Sequence, residues 1–162
     1  MKIHELRKQV LLPKPIEEVF SFFADAHNLQ TLTPPWLKFR VLTPKPIVMA
    51  VGTKIDYKLR VRGIPLSWRS EITAWEPPFR FQDEQLRGPY RRWIHEHTFQ
   101  EVDGGTLAGD YVQYAVPGGA LAHWLVVKQD VEKIFGFRAE QMQSLFGVAA
   151  ETRDLAPVLS GR

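Results

Sequence analysis

The chain contains no cysteine among its 162 residues. Disulfides, thiolate metal sites and thiol nucleophiles are thereby excluded, and a reducing compartment fits. No stretch approaches the ~20 apolar residues that a membrane-spanning helix needs, so stable membrane insertion is not expected. Residues Met1 to Glu5 run straight into alternating sequence, without the apolar core of a signal peptide, and the cytoplasm is the expected location. Charge of one sign is scarce too: 21 Lys plus Arg stand against 18 Asp plus Glu, and basic runs stop at pairs such as Arg91-Arg92. That footprint does not suit a nucleic-acid partner. Repeats, low-complexity segments, a nucleophile elbow, a phosphate loop and a metal motif are all missing, so neither a cofactor nor a metal is expected.

What is present is an ordinary globular composition, 44% hydrophobic and 24% charged. A chain of this size buries roughly 70% of its unfolded surface as one domain. Residues 1–150 are expected to form it, with 151–162 a loose tail lacking periodicity. Residues 2–12 alternate imperfectly and end at Pro13, which reads as a strand. Pro15 suits a first helical turn, Glu17 and Glu18 suit its positive end, and Ile16, Val19, Phe20 and Phe23 recur at helical spacing over 15–24. A second short helix is expected over 25–32, stopped by Pro34 and Pro35.

From about residue 54 the period changes to two. Ile55, Tyr57, Leu59 and Val61 alternate with charged residues, and Gly63 turns the chain into a strand carrying Ile64, Leu66, Trp68 and Ile72. Residues 79–86, 91–101 and 106–116 continue the series, the last two joined by Asp103-Gly104, a strong hairpin signal. The sheet should be antiparallel. From Gly119 to about Ala149, Leu121, Trp124, Leu125, Val131, Ile134, Phe135, Met142, Leu145 and Phe146 trace a helical stripe. A helix over 120–148 should place Leu125, Phe135 and Met142 against the sheet, with Gly136 marking either a close approach or a bend.

One strand, two short helices, a long meander and a final long helix is an order that resembles the START-like helix-grip superfamily. Gly88-Pro89-Tyr90, then Trp93-x-His95-x-His97-x-Phe99, Gly105-Thr106, Asp110, Tyr114, Pro117 and Ile134-Phe135-x-Phe137-Arg138 look like its bacterial branch labelled cyclase/dehydrase-like or SRPBCC ligand-binding. The likeness spans roughly residues 2–147. It implies an α+β fold in which six to seven curved antiparallel strands grip the C-terminal helix around a ligand cavity. The fold alone does not select a function, because it hosts lipid carriers, hormone receptors, polyketide cyclases and chaperone partners alike.

Trp93, His95, His97 and Phe99 share one face of their strand by parity, and that face is expected to line the cavity. If Asp103-Gly104 is a two-residue turn, Val102 faces Gly105. His97 then stands opposite Asp110, Phe99 opposite Ala108, His95 opposite Val112 and Trp93 opposite Tyr114. A His97–Asp110 pair can satisfy itself within the core, anchor a ligand, or transfer a proton with Tyr114 as oxyanion donor. Arg138 interrupts the helical stripe, and either snorkels to water or pairs with Asp110 or with a ligand carboxylate. Tyr57, Trp68, Phe79, Phe81 and Tyr114 read as core, which in this fold is also cavity wall, and Phe135 and Met142 face it from the helix. Trp36 and Trp75 read as rim residues. The expected function is binding of a small hydrophobic or amphipathic ligand. A cyclase, aromatase or dehydratase using His97, Asp110 and Tyr114 is the alternative, and a protein-interaction module with a residual cavity a further one.

Overall fold

Alternation and turn chemistry resolve into a single seven-stranded sheet. The computed structural model describes residues 1–148, except for the side chains of residues 120, 124 and 125. The strands are β1 (His4–Leu12), β2 (Arg40–Val41), β3 (Lys54–Val61), β4 (Ile64–Glu76), β5 (Arg80–Arg87), β6 (Arg92–Val102) and β7 (Gly105–Ala115). Their order is β1-β7-β6-β5-β4-β3-β2, and every neighbouring pair is antiparallel. The first strand therefore closes beside the last. Register shifts between β4 and β5, at Arg69/Ser70 and Ile72/Ala74, add the local twist that curves the sheet.

The β6–β7 hairpin follows the expected register over its whole length, from Val102 opposite Gly105 back to Trp93 opposite Tyr114. Gly104 adopts φ +88°, a left-handed conformation that costs glycine nothing. A Cβ on Gly105 would run into the Leu12 carbonyl, so this position needs glycine for close approach.

After β1, α1 (Ile16–Phe23) buries Ile16, Val19, Phe20 and Phe23, with Glu17 and Glu18 in its first turn. The second helix is shorter than the sequence suggests. A 3₁₀ turn over Ala26–Asn28, capped by the Asp25 carboxylate accepting from the His27 N–H, precedes a four-residue α2 (Leu29–Leu32). The C-terminal helix begins with α3 (Gly119–Ala122), widens into a π turn over His123–Val127, and continues as α4 (Lys128–Phe146). The irregularity thus falls at the π turn and not at Gly136, where an added Cβ would meet open space. Val131, Phe135, Arg138, Met142 and Phe146 form the buried stripe. Leu121 and Leu145, expected in that stripe, are exposed. The Leu125 side chain and the expected tail over 151–162 lie outside the described residues.

Three apolar clusters fill the space between sheet and helices. One joins β1, α1 and the C-terminal half of α4 through Leu12, Phe20, Phe99, Met142 and Phe146. A second surrounds Ile55, Tyr57 and Ile72 on β3 and β4, and a third joins Val112 and Tyr114 to Val131 and Phe135. Phe79, expected in the core, is 59% exposed because it sits in the tight β4–β5 turn. Trp75, expected at the rim, packs against Phe20 and Phe81, whereas Trp36 does stand at the surface beside Phe137.

Candidate functional site

Between the concave face of β3–β6 and the long helix lies a cavity with about 180 Å³ open to the centres of water molecules. Alternation puts Tyr57, Trp68, Ser70, Ile72, Phe81, Asp83, Trp93, His95 and His97 on its wall; Phe135 and Arg138 reach it from α4. Helix α4 rests on β1 and α2, toward the edge of the sheet opposite β3 and β4, and the unfilled space is bordered by those strands.

The polar end of the cavity is one hydrogen-bonded cluster. Arg138 Nε donates to Asp110 Oδ2 at 2.9 Å and Arg138 Nη2 to His97 Nδ1 at 3.2 Å. A guanidinium only donates. His97 Nδ1 is therefore an acceptor, its proton sits on Nε2, and Nε2 donates to Asp83 Oδ2 at 3.1 Å. His95 Nε2 lies 2.7 Å from Asp110 Oδ1 and donates to that carboxylate. The imidazoles lean on each other with centroids 3.8 Å apart, and Phe81 stacks on His97 at 4.0 Å.

Burial alone would raise the Asp110 carboxyl, but Arg138 and the His95 hydrogen bond outweigh it and hold it well below its ordinary value. Burial likewise opposes ionisation of Asp83, and the hydrogen bond from His97 is the largest influence against it, so that carboxyl too lies low. For His95 burial wins, helped by neighbouring His97 against the pull of Asp110, and its pKa falls to about 4. At neutral pH His95 is thus an uncharged imidazole bonded through Nε2. Its Nδ1 has no partner among the described residues, and it is not among their occluded unpaired atoms.

Of the residues expected to bind ligand, Tyr57, Trp68, Phe81, Trp93, His95, His97, Phe135 and Arg138 border the cavity. Four others do not border it. Phe99 and Met142 are packed in the first cluster. Asp110 stands behind the histidines, where it positions His95 and Arg138. Tyr114 packs behind the wall residues Tyr90 and Trp93, its hydroxyl 2.9 Å from His123 Nε2. His97 does face Asp110 in register, but their nearest polar atoms are 3.5 Å apart and both are acceptors. The bond to Asp110 comes instead from His95 on the diagonal, within reach because side chains two residues off the facing position still approach across a strand pair. Arg138 is 5% exposed, pairing with Asp110 rather than snorkelling.

Asp83 and Ser70 were missed. Asp83 lies two residues beyond Phe81 on the same strand, and extending that parity by one step would have found it.

Asp83, His95 and His97 hold ligand-type atoms within 4.8 Å of one another. Metal-bound imidazole ordinarily donates its second N–H to an acceptor. Here His97 Nδ1 receives a donor, which keeps the proton on the nitrogen that faces Asp83. The cluster as bonded does not fit a metal.

A curved antiparallel sheet closed on a long C-terminal helix, with a cavity between them, defines the helix-grip class. The profile of the family described as "Polyketide cyclase / dehydrase and lipid transport" matches residues 12–142, and the chain belongs to that family. No curated protein matches. Among solved structures, protein CV1439 from Chromobacterium violaceum is similar at 18% identity and TM-score 0.70, over 89% of this chain and 98% of that one. Ginseng major latex-like protein 151 from Panax ginseng shares 10% identity over 89% and 97% of the two chains, with TM-score 0.66. The di-domain ARO/CYC StfQ of the steffimycin biosynthetic pathway shares 10% identity over 89% of this chain and 50% of that one, with TM-score 0.69. These likenesses carry the fold. Among the described residues, no helix is long and apolar enough to cross a membrane.

Proposed function

We propose that this chain is a non-catalytic binding module for a small hydrophobic or amphipathic molecule of lipid, polyketide or aromatic type. The observation that carries this reading is an aromatic-walled cavity with one polar end, at which the buried Arg138–Asp110 ion pair is neutral as a pair. Few convergent polar groups in a mostly apolar hollow is the usual make-up of a ligand site. The absence of cysteine keeps the cytoplasm as the proposed location.

The runner-up is a cyclase, aromatase or dehydratase, and the His95–Asp110 dyad with an open Nδ1 is the feature that favours it. An imidazole with pKa near 4 is a weak base at neutral pH and has no proton to give from Nδ1. The trio of His97, Asp110 and Tyr114 is not assembled either, since the Tyr114 hydroxyl lies against His123 and does not border the cavity. Both points favour the carrier.

Trp68 and Trp93 border the cavity, so Nile red or a medium-chain alcohol should quench tryptophan emission saturably. Leu59, half-buried on the wall, supplies the control: Leu59→Trp should fill the space and abolish saturation while the protein stays folded. Native mass spectrometry of gently purified protein should show an adduct of small-molecule mass. If no apolar probe saturates and no adduct appears, the binding reading fails and the interaction module takes its place.

A further inference from the structure

The charges around the cavity do not balance. Asp110 is matched by Arg138, which approaches it at 2.9 Å and places a further bond on His97. His97 is neutral in this hydrogen-bond pattern, because its Nδ1 accepts from Arg138 and its one proton is donated to Asp83; His95 is bonded to Asp110, not to Asp83, and burial keeps it uncharged at neutral pH. Asp83 is therefore left without a cation. Its Oδ2 accepts one good hydrogen bond from His97, and its Oδ1 only a long one of 3.4 Å from the Ser70 hydroxyl. A carboxylate offers about four acceptor positions, so at least one is open.

That opening is toward the cavity. The Asp83 side chain keeps 20% of its surface, against 2% for His97 and 5% for Asp110. Among the described lining residues the only other acid is Asp25 and the only cation is Arg138, while lysine is absent. The neighbouring wall is built of aromatic faces. Trp68 and Trp93 meet edge to face at 5.4 Å, and Tyr90 lies 4.7 Å from Trp93. Trp68 Nε1 donates to Ser70 Oγ at 3.0 Å, which ties this aromatic group to the Asp83 end. A carboxylate beside several ring faces is an environment that favours a cation on an apolar body and disfavours an anion.

We infer that the preferred ligand carries a protonated amine, or an equivalent cationic nitrogen, on an apolar or aromatic skeleton, with Asp83 as its anchor. This rests on the binding reading above and specifies its chemistry. A ligand carboxylate, for which Arg138 is the obvious receptor in the sequence, finds that arginine's charge already matched by Asp110 and meets Asp83 as a like charge.

Three probes of one shape test it: 4-phenylbutylamine, 4-phenylbutanol and 4-phenylbutyrate, each displacing Nile red at pH 7. The amine should bind tightest and the carboxylate weakest, with about tenfold or more between them, as for a hydrogen bond that gains charge. Asp83→Asn should bring the amine to within about twofold of the alcohol and leave the alcohol unchanged, because only the charged contact is removed. A carboxylate that binds as well as the amine overturns the inference on the parent protein alone, whether or not the variant folds. So does an amine preference that survives in folded Asp83→Asn. If Nile red and the alcohol bind while charge makes no difference, this inference falls and the binding reading stands. If Nile red and all three probes fail to bind, both fall together.

Discussion

His97 and Phe99 stand two residues apart on the same face of β6, yet they belong to different interiors. Phe99 is enclosed by Phe20, Phe23, Met142 and other apolar groups of β1, α1 and the end of α4. His97, with His95 and Trp93, looks into unfilled space. The strand is continuous and the residues on it are similarly buried. What differs is the element opposite. At the Phe99 end, α1 and the last turns of α4 bring large side chains down to the sheet; toward β3 and β4 the short helical segments contribute Ala26 and Leu29, and aromatic side chains border a hollow. A protein of this design can keep stability in one half and binding in the other, because a ligand in the hollow need not displace the packed half.

The border between the halves is the ionic cluster, and breaking it should have the largest effect. Arg138→Met leaves Asp110 in a buried site without its cation, a change that typically costs about 3–5 kcal/mol. Urea unfolding measures the loss. The double variant Arg138→Met, Asp110→Asn should lose less than the sum of its parts, since the two groups act as a pair. Additive losses would mean that the ion pair does not hold the two halves together.

Next comes the contrast between the halves themselves. Met142 is 2% exposed in the packed cluster, so Met142→Ala should cost roughly 2–5 kcal/mol through the cavity it creates. Leu59→Ala, on the wall of an existing hollow, removes few contacts and should cost under about 1 kcal/mol. Equal losses at the two sites would show that the hollow is closed in solution.

This contrast also marks what the residues reveal by themselves. The antiparallel meander, the β6–β7 register and the facing of Trp93, His95 and His97 were legible, because parity and the Asp103-Gly104 turn are local chemistry. The fate of Phe99, Met142 and Tyr114 was not. Parity says which side of a sheet a residue takes, and it is silent on whether another element fills the space there. The diagonal bond from His95 to Asp110 escaped for a similar reason: register predicts which Cα atoms face, while side-chain lean decides which atoms touch. Asp83 was within reach of the same parity rule that found Phe81, and it was passed over because an acid among polar neighbours reads as a solvated strand face. The π turn at His123–Val127 has no marker comparable to a glycine or proline within it.

Acid should separate the halves by a smaller margin. The His95 pKa lies near 4 in the folded protein against an ordinary 6.5, so the unfolded chain binds the extra proton between those values. Its contribution to stability is complete above about pH 6.5 and is lost as pH falls toward 4, by roughly 2–3 kcal/mol at pH 4.5. Asp110 and Asp83, both lowered, add losses only from the ordinary carboxylate range downward, where the unfolded chain takes up protons that the folded protein does not. Urea midpoints measured from pH 7.5 to 4.5 should therefore slope downward with acid in the parent and flatten in His95→Gln. A slope that persists in the variant would assign the proton uptake to another group.

The smallest effect is expected where the hollow half meets the helix at the surface. Arg62, in the β3–β4 turn with φ +50°, places Nε and Nη2 on Asp130 of α4 at 3.0 and 2.9 Å. The pair spans from one cavity-lining strand to the helix, close in sequence to Val61 and Ile134, which both border the cavity. It is well solvated, with the Arg62 side chain 57% exposed, and pairs of that kind contribute little to equilibrium stability because water and salt compete for both partners. Arg62→Gln should therefore unfold in urea at a midpoint indistinguishable from the parent. If the pair bridges an opening to the cavity, its loss should show in kinetics instead. Nile red should then leave the variant faster than the parent, and 1 M salt should speed release from the parent while changing the variant little. Equal release rates in the two proteins at low salt would place the route of exchange elsewhere. A destabilisation comparable to that of Arg138→Met would go further and show that the β3–β4 turn and α4 form one packed unit, against the division drawn from the two interiors.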